Sequence, residues 1–368
     1  MSFLPVRLEK RLHPSPLTAL LVPVLAVFLA LALGAVFLSL TGQDPLTVYG
    51  VMFGGALGSV YGLSETLVKA IPVMLCALGI SLAFKMQLWN IGAEGQLYMG
   101  AFAASWLPLF HPELPVWLML PGMFVLGMLA GGLWALLAAL PRALWNVNEI
   151  ITTLMLNYVA ILWVDYLVYG PWKDPQGMNF PLTARFPAAA MLPSWGNSRI
   201  HAGIFFALLL ALLLVFIFKY SRWGYEIKVM GSSVRAARYA GMDIKRNIYL
   251  VMFLSGAICG LAGMTEVSGI TGRLQHALSP GYGYTAIIVA WLSRLHPLAI
   301  VLVSILFGVL QVGGYLVQTK GVPAAVAAML QGAILFFVLG GEILTNYQLK
   351  WGRPDAGRQV MGKQQIGQ

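Results

Sequence analysis

The stretch WNIGAEGQLYMGAF, residues 89–102, sets a carboxylate between glycines at the mouth of a long apolar run. Glu94 follows Gly92 by two positions and directly precedes Gly95. Glycines of this kind interrupt regular backbone, and an ionisable group there is costly if the flanking runs lie in hydrocarbon. The pattern predicts a break between two helices, the second starting at Ala93. What the carboxylate does depends on the solvent those helices occupy.

That solvent is lipid. Hydrophobic residues make up 59% of the 368-residue chain and charged residues 10%, against roughly 25% charged in soluble domains. Stretches free of Asp, Glu, Lys and Arg run 12–43, 114–141, 200–218, 247–265, 295–319 and 321–341. Each approaches or exceeds the ~20 residues a helix needs to cross a bilayer. They are solidly apolar rather than alternating, which excludes a barrel of strands. Helices satisfy their own backbone, so the expected fold is an all-α, polytopic transmembrane helical bundle forming a single domain over 1–368. Ten spans are expected: 17–40, 65–84, 93–110, 115–140, 149–169, 202–219, 248–268, 284–294, 297–317 and 323–343. The first is too long for a signal-peptide core and reads as an uncleaved span. Cys76 and Cys259 fall inside apolar runs and read as core residues rather than a disulfide.

The formal charge of +10 could suggest nucleic acid, but its distribution says otherwise. With the N-terminus in the cytoplasm, the inside segments are the two tails, 85–92, 141–148, 220–247 and 295–296. Seventeen of the 23 basic residues lie in or beside them; Lys69, Lys173, Arg185, Arg199, Arg273 and Lys320 remain outside. This is the positive-inside asymmetry, and an even span count agrees with two cytoplasmic tails. The charge orients the chain in a membrane, and no nucleic-acid partner is expected.

The halves share a weak symmetry. One span leads into NIGAEGQLYMGAF, and five spans later another leads into SPGYGYTAIIVAWLS, 279–293, with Gly281 and Gly283 in corresponding places. An odd offset makes the repeats inverted, about 65–169 and 248–343. Paired glycine-interrupted segments in inverted halves point to a translocation pathway, although glycines also permit plain close packing. Between the repeats, 220–247 is polar, basic and too short for an enzyme domain. Within it SVRAARYAG, 233–241, predicts a two-turn helix capped by Ser232 or Ser233 and ended by Gly241. It suits either a contact for an external motor or an ordinary cytoplasmic loop.

Several polar residues are candidates for the pathway. Glu94 and Gln96 start the third span. Glu94 either accepts backbone N–H bonds at that helix N-terminus or lines the break and meets the solute. Glu149, Thr153, Asn157 and Asp165 share one helical face, where Thr153 and Asn157 serve either the pathway or bonding between helices. Gln311, Tyr315 and Gln318 in the ninth span and Gln331 in the tenth suit a neutral, hydroxyl-rich or base-bearing solute. Gly256, Gly260 and Gly263, with Ser255, read as a packing face. No phosphate loop of the G-x-x-x-x-G-K-[ST] type occurs, so the chain is not a motor. The five histidines (13, 111, 201, 276, 296) are scattered, and neither a catalytic triad nor a metal site nor a cofactor site is expected. An ion-coupled carrier would share the repeats and breaks, but Glu94, Glu149, Glu266 and Glu342 all fall near span ends rather than at mid-depth.

NIGAEGQ at 90–96, NEIITTLMLNY at 148–158 and GYGYTAIIVAWLSRLHPLAI at 281–300 together resemble permease subunits of bacterial ABC importers. The resemblance is to the branch of ribose, other simple-sugar and nucleoside permeases, and it covers nearly the whole chain. RAARYAG, 235–241, resembles the importer coupling motif, E-A-A, three residues, then Gly: Ala236, Ala237 and Gly241 match, while Arg235 stands where Glu is usual. The resemblance implies a permease for nucleosides or simple sugars in the bacterial cytoplasmic (inner) membrane. It further implies a separate ABC ATPase, a second homologous permease subunit and an external substrate-binding protein as partners.

Overall fold

A computed structural model describes residues 6–10, 16–196, 198–323 and 325–351. Its elements, in chain order, are β1 (Val6–Lys10), α1 (Pro16–Leu40), α2 (Pro45–Leu57), α3 (Val60–Lys85), α4 (Ala93–Phe110), α5 (Val116–Trp145) and α6 (Glu149–Tyr169). After a long loop come α7 (Gly203–Tyr220), α8 (Arg222–Ser232), α9 (Val234–Tyr239), α10 (Ile244–Glu266), α11 (Tyr282–Leu292), α12 (Pro297–Leu316), α13 (Ala325–Asn346) and β2 (Tyr347–Trp351). All ten expected spans fall on helices. Among the described residues six helices are long and apolar enough to cross a membrane: α3, α5, α6, α7, α10 with its π turn Val267–Thr271, and α12. Shorter apolar segments include Val24–Leu40, Tyr282–Leu292 and Ala325–Gly341, so ten is an approximate count.

Two compact units divide the chain. One comprises Met1–Gly34 and Gly332–Gln368, the other Ala35–Gln331. In the first, β1 pairs antiparallel with β2, Val6 opposite Trp351 and Lys10 opposite Tyr347. These two short strands are the exception to an otherwise helical set of described elements.

In the second unit α3 and α10 are the central helices, with 89% and 78% of their apolar windows buried; for α6 and α7 the figures are 28% and 22%. Large apolar side chains stay exposed along the outer faces, among them Leu133 and Leu140 on α5, Ile151 and Leu162 on α6, and Leu209 and Phe216 on α7. An apolar exterior of this kind suits lipid. The small-residue face of α10 is a packing surface. A Cβ on Gly260 would lie 2.2 Å from the Gly127 carbonyl oxygen, and one on Gly263 would lie 2.0 Å from that of Leu97. Close backbone approach replaces the hydrophobic drive that lipid does not supply.

Besides the expected short helix α9, two helices lie outside the expected spans. α2 starts at Pro45, the favoured first helical position, and Asp44 caps it by accepting from the Leu46 and Thr47 N–H groups. It buries Ala56 against Val309 and Val312 of α12, with Phe53 and Leu316 packed alongside. α8 lies in the segment expected to be one loop with one short helix. Ser221 caps it, accepting from Gly224 N–H, and it buries Gly224, Ile227 and Met230 on one face.

Candidate functional site: two helix breaks and a glutamine-lined cavity

α3 ends at Lys85 and the chain turns through 86–92 before α4 begins, leaving backbone groups that no helix satisfies. Depth in a membrane demands that they be satisfied internally. Asn90 does part of this locally. Its Oδ1 accepts from Gly92 N–H (3.0 Å) and Gln96 Nε2 (2.9 Å), and its Nδ2 donates to Gln96 Oε1 (3.1 Å) and Ser255 Oγ (2.9 Å).

The polar face of α6 does the rest. Trp89 N–H donates to Glu149 (3.3 Å), Ile91 N–H to Thr153 Oγ1 (3.3 Å) and Gly95 N–H to Asn157 Oδ1 (2.8 Å), while Asn157 Nδ2 donates to the Ile91 carbonyl (2.9 Å). Glu149 is held in turn by Arg142 at 3.1 Å. The four-residue spacing on α6 is therefore matched to the irregular backbone of 89–95. Asp165, further along that face, meets His276 Nδ1 at 2.7 Å.

The second break lies beside the first. After its π turn, α10 gives way to an irregular segment in which Ser279 Oγ accepts from Gly281 N–H (3.1 Å) and Tyr282 N–H (2.9 Å). Gly281, at φ +94°, takes the left-handed turn that lets α11 begin, a conformation natural to glycine. Glu94 Oε2 then accepts from Gly283 N–H at 2.7 Å. A Cβ on Gly283 would sit 2.3 Å from the Glu94 nitrogen, so the two helix starts meet backbone to backbone. Gly95 has a similar constraint, since its Cβ would lie 2.9 Å from the Asn157 Cα; Gly92, the residue before α4, takes ordinary negative φ. The loop between α6 and α7 docks on the same segment through Thr183 N–H to the Leu274 carbonyl and Phe186 N–H to that of Gly272.

Of the residues singled out in the sequence, Glu94, Gln96, Thr153 and Asn157 come together in one network, 0–2% exposed and bonded to protein. Gln311 and Gln318 lie elsewhere. They line a cavity of about 160 Å³ with Tyr315, Gln331 and Pro280, the residue just before Gly281. Gln331 Oε1 accepts from Thr285 of α11 (3.1 Å), and Gln311 Oε1 is buried without a partner among the described residues. Sequence reasoning missed Asn90 and Ser279; an Asn or Ser two residues before a glycine in a broken segment is the available signal.

On the face carrying 220–247, α9 occupies the expected short helix, with Ser233 accepting from Ala236 N–H (3.2 Å) and Gly241 turning at φ +74°. Arg235, Ala236, Arg238 and Tyr239 are exposed, whereas Ala237 is fully buried against its own chain. α8 presses on the end of α3: a Cβ on Gly231 would lie 2.1 Å from the Lys85 carbonyl oxygen. No group of three or more potential metal ligands occurs among the described residues.

Comparison with known proteins agrees with this architecture. The chain is 40% identical to the glucose ABC transporter permease protein TsgB13 of Haloferax volcanii, over 89% of each chain. It is 33% identical to the guanosine ABC transporter permease protein NupP of Bacillus subtilis, over 88% of this chain and 93% of that one. The guanosine permease protein NupQ of the same organism is 26% identical over 76% of this chain and 90% of its own. Residues 62–339 match the family described as branched-chain amino acid transport system / permease component. Broken helices satisfied from within, an apolar exterior and this match together make the chain a member of that family, the permease component of ABC transporters.

Proposed function

We propose that this chain forms the translocation pathway of an ATP-driven importer for a small, polar, neutral solute, nucleosides first and simple sugars next. The lining of the cavity carries this reading. Three amides and a phenol surround it, and no carboxylate, ammonium or guanidinium is among its lining residues. A zwitterionic amino acid would need charged partners for both its ends. Amides instead offer donors and acceptors to hydroxyls and base edges. The guanosine and glucose permeases among the relatives handle solutes of that kind by name.

In this reading Gln311 and Gln318 contact the solute. Glu94, Gln96, Thr153 and Asn157 hold the first break in shape behind the pathway, and Gly92, Gly95, Gly281 and Gly283 let the broken backbones turn and touch. The halves 65–169 and 248–343 act as inverted repeats. In support, each leads from a central helix, α3 or α10, through an irregular segment into a helix that starts at the other half's break.

ATP hydrolysis belongs to a separate ABC ATPase, with Arg235, Ala236, Ala237 and Gly241 as the coupling segment. A second homologous permease completes the membrane part; similarity to two guanosine permeases of one organism favours a different chain over a second copy. An external substrate-binding protein delivers the solute. The assembly sits in a bacterial cytoplasmic membrane with both termini inside, supported by the basic-residue asymmetry and by the pairing of β1 with β2. Membership of an ATP-driven family favours this over ion coupling.

The test is uptake of labelled uridine by cells lacking their own nucleoside transport and expressing the complete transporter. Competition by guanosine, with none by leucine, is expected. Leucine uptake that nucleosides and glucose leave untouched would overturn the solute assignment.

A further inference from the structure

On the side carrying α8 and α9, a cavity of about 1050 Å³ opens between the end of α7, the start of α8 and the first turns of α10. Three cations border it: Lys219, Arg222 and Arg246. All three are exposed, and none lies within ion-pair distance of a carboxylate among the described residues. The cavity also contains two acidic side chains, and both have commitments elsewhere. Glu226 Oε2 accepts from Asn247 Nδ2 (3.0 Å), and Asp243 caps α10 by accepting from the Arg246 backbone N–H (3.0 Å). Three cations thus share a concave site with two anions that already accept hydrogen bonds.

The lining also has an apolar part. Leu250 and Leu254 lie one and two turns beyond Arg246 along α10. Trp223, whose Nε1 donates to Asn247 Oδ1 (2.8 Å), also lines it, as do Tyr220 and Tyr225, both more than 60% exposed. Amphipathic aromatics of this kind concentrate at the headgroup level of a bilayer. Cations, amphipathic aromatics and apolar side chains lining one cavity match an amphiphile, which a small soluble anion would not require.

We propose that this cavity binds an anionic phospholipid, its phosphate between Lys219, Arg222 and Arg246 and the root of an acyl chain along Leu250 and Leu254. The site abuts Ala240, Gly241 and Met242, just after α9, so a bound lipid would brace the base of the coupling segment. The inference rests on the chain spanning a membrane and is independent of solute and ATPase; its failure and that of the proposed function are therefore separable.

Native mass spectrometry of the purified full chain tests it, titrating dioleoyl phosphatidylglycerol against dioleoyl phosphatidylcholine, with millimolar inorganic phosphate as a soluble competitor. The wild type should retain the anionic lipid with about tenfold preference, as a multi-cation headgroup contact implies. R222Q/R246Q should abolish the preference, the outer-face control K173Q/K320Q should keep it, and phosphate should not displace the lipid. Equal retention of both lipids by the wild type, preference surviving in R222Q/R246Q, or displacement by inorganic phosphate alone would each overturn the proposal. Should R222Q/R246Q fail to fold, a photoreactive phosphatidylglycerol on the wild type decides: crosslinks within 219–226 or 240–254 support the site, and crosslinks confined elsewhere refute it.

Discussion

The carboxylate of Glu94 on α4 and the backbone N–H of Gly283 on α11 are joined by a 2.7 Å hydrogen bond between residues 189 positions apart. It ties the first break to the second at the point where their backbones touch. Gly283→Ala should therefore be far worse than a typical surface change. The added methyl would collide with the Glu94 backbone, which cannot swing away as a side chain could, at a cost of about 1–3 kcal/mol from overpacking. Glu94→Gln keeps an acceptor oxygen and should be milder than Glu94→Ala, which strands the Gly283 N–H. Thermal unfolding in detergent ranks the three; an unperturbed Gly283→Ala would refute the backbone contact.

Asn157→Leu and Gln311→Leu should separate scaffold from lining. The first leaves the Gly95 N–H and Ile91 carbonyl without their partners, each orphan costing roughly 1–3 kcal/mol, so yield and melting temperature should fall along with uptake. The second removes no hydrogen bond among the described residues and borders the cavity, so the protein should stay stable while the KM for solute rises. Matching stability losses in both would remove Gln311 from the pathway.

If α9 couples to an ATPase as proposed, its exposed and buried positions should behave differently. Arg235→Glu and Tyr239→Ala alter the outward side of α9 and should lower transport and stimulation of ATP hydrolysis together, with the permease still folded. Ala237→Trp should instead disturb the permease itself, because Ala237 is packed against its own chain and overpacking displaces α9. Transport, ATPase rate and melting temperature measured side by side give the answer. Wild-type coupling in all three variants would exclude α9 as the transmission element.

His201, on the loop before α7, is 1% exposed, and burial, reinforced by the Arg199 charge, pushes its pKa down to about 4. Above its ordinary value of 6.5 the imidazole is neutral whether folded or unfolded and pH has no effect through it. Below 6.5 the unfolded chain takes up the proton and the folded one does not, so stability declines as pH falls toward 4, by up to ~3 kcal/mol. Melting curves at about pH 7 and about pH 5 should show that loss in the wild type and less of it in His201→Asn. A pH-independent wild type would contradict a buried neutral imidazole.

Much of this fold is written in local pattern. α4 and α6 begin and end where their apolar runs do, because a span in lipid is defined by composition along the chain. α2 escapes that logic: thirteen residues carrying Gly50, Gly54 and Gly55 are too few to cross a bilayer, and α12 makes it a helix. α8 escapes it as well, since its basic polar face reads as loop until Ile227 and Met230 are seen to be buried. The face of α6 was legible as a stripe, but its object was not. That Thr153 and Asn157 serve the backbone of 91–95 follows from a contact sixty residues away in sequence, which periodicity does not encode. Likewise the partner of Glu94 is a main-chain N–H, and no side-chain motif announces it.

The seam between Gly231 and the Lys85 carbonyl has a mechanical meaning. Where side chains intervene between two rods, rotamers yield first and part of any stroke is dissipated before the second rod moves. Here main chain bears directly on main chain, and Lys85 is only five residues from Asn90, whose amide fastens the first break. A push on α8 would thus arrive at α3 with little lost travel, and widening this joint by substitution at 231 would add backlash to a linkage otherwise built without slack.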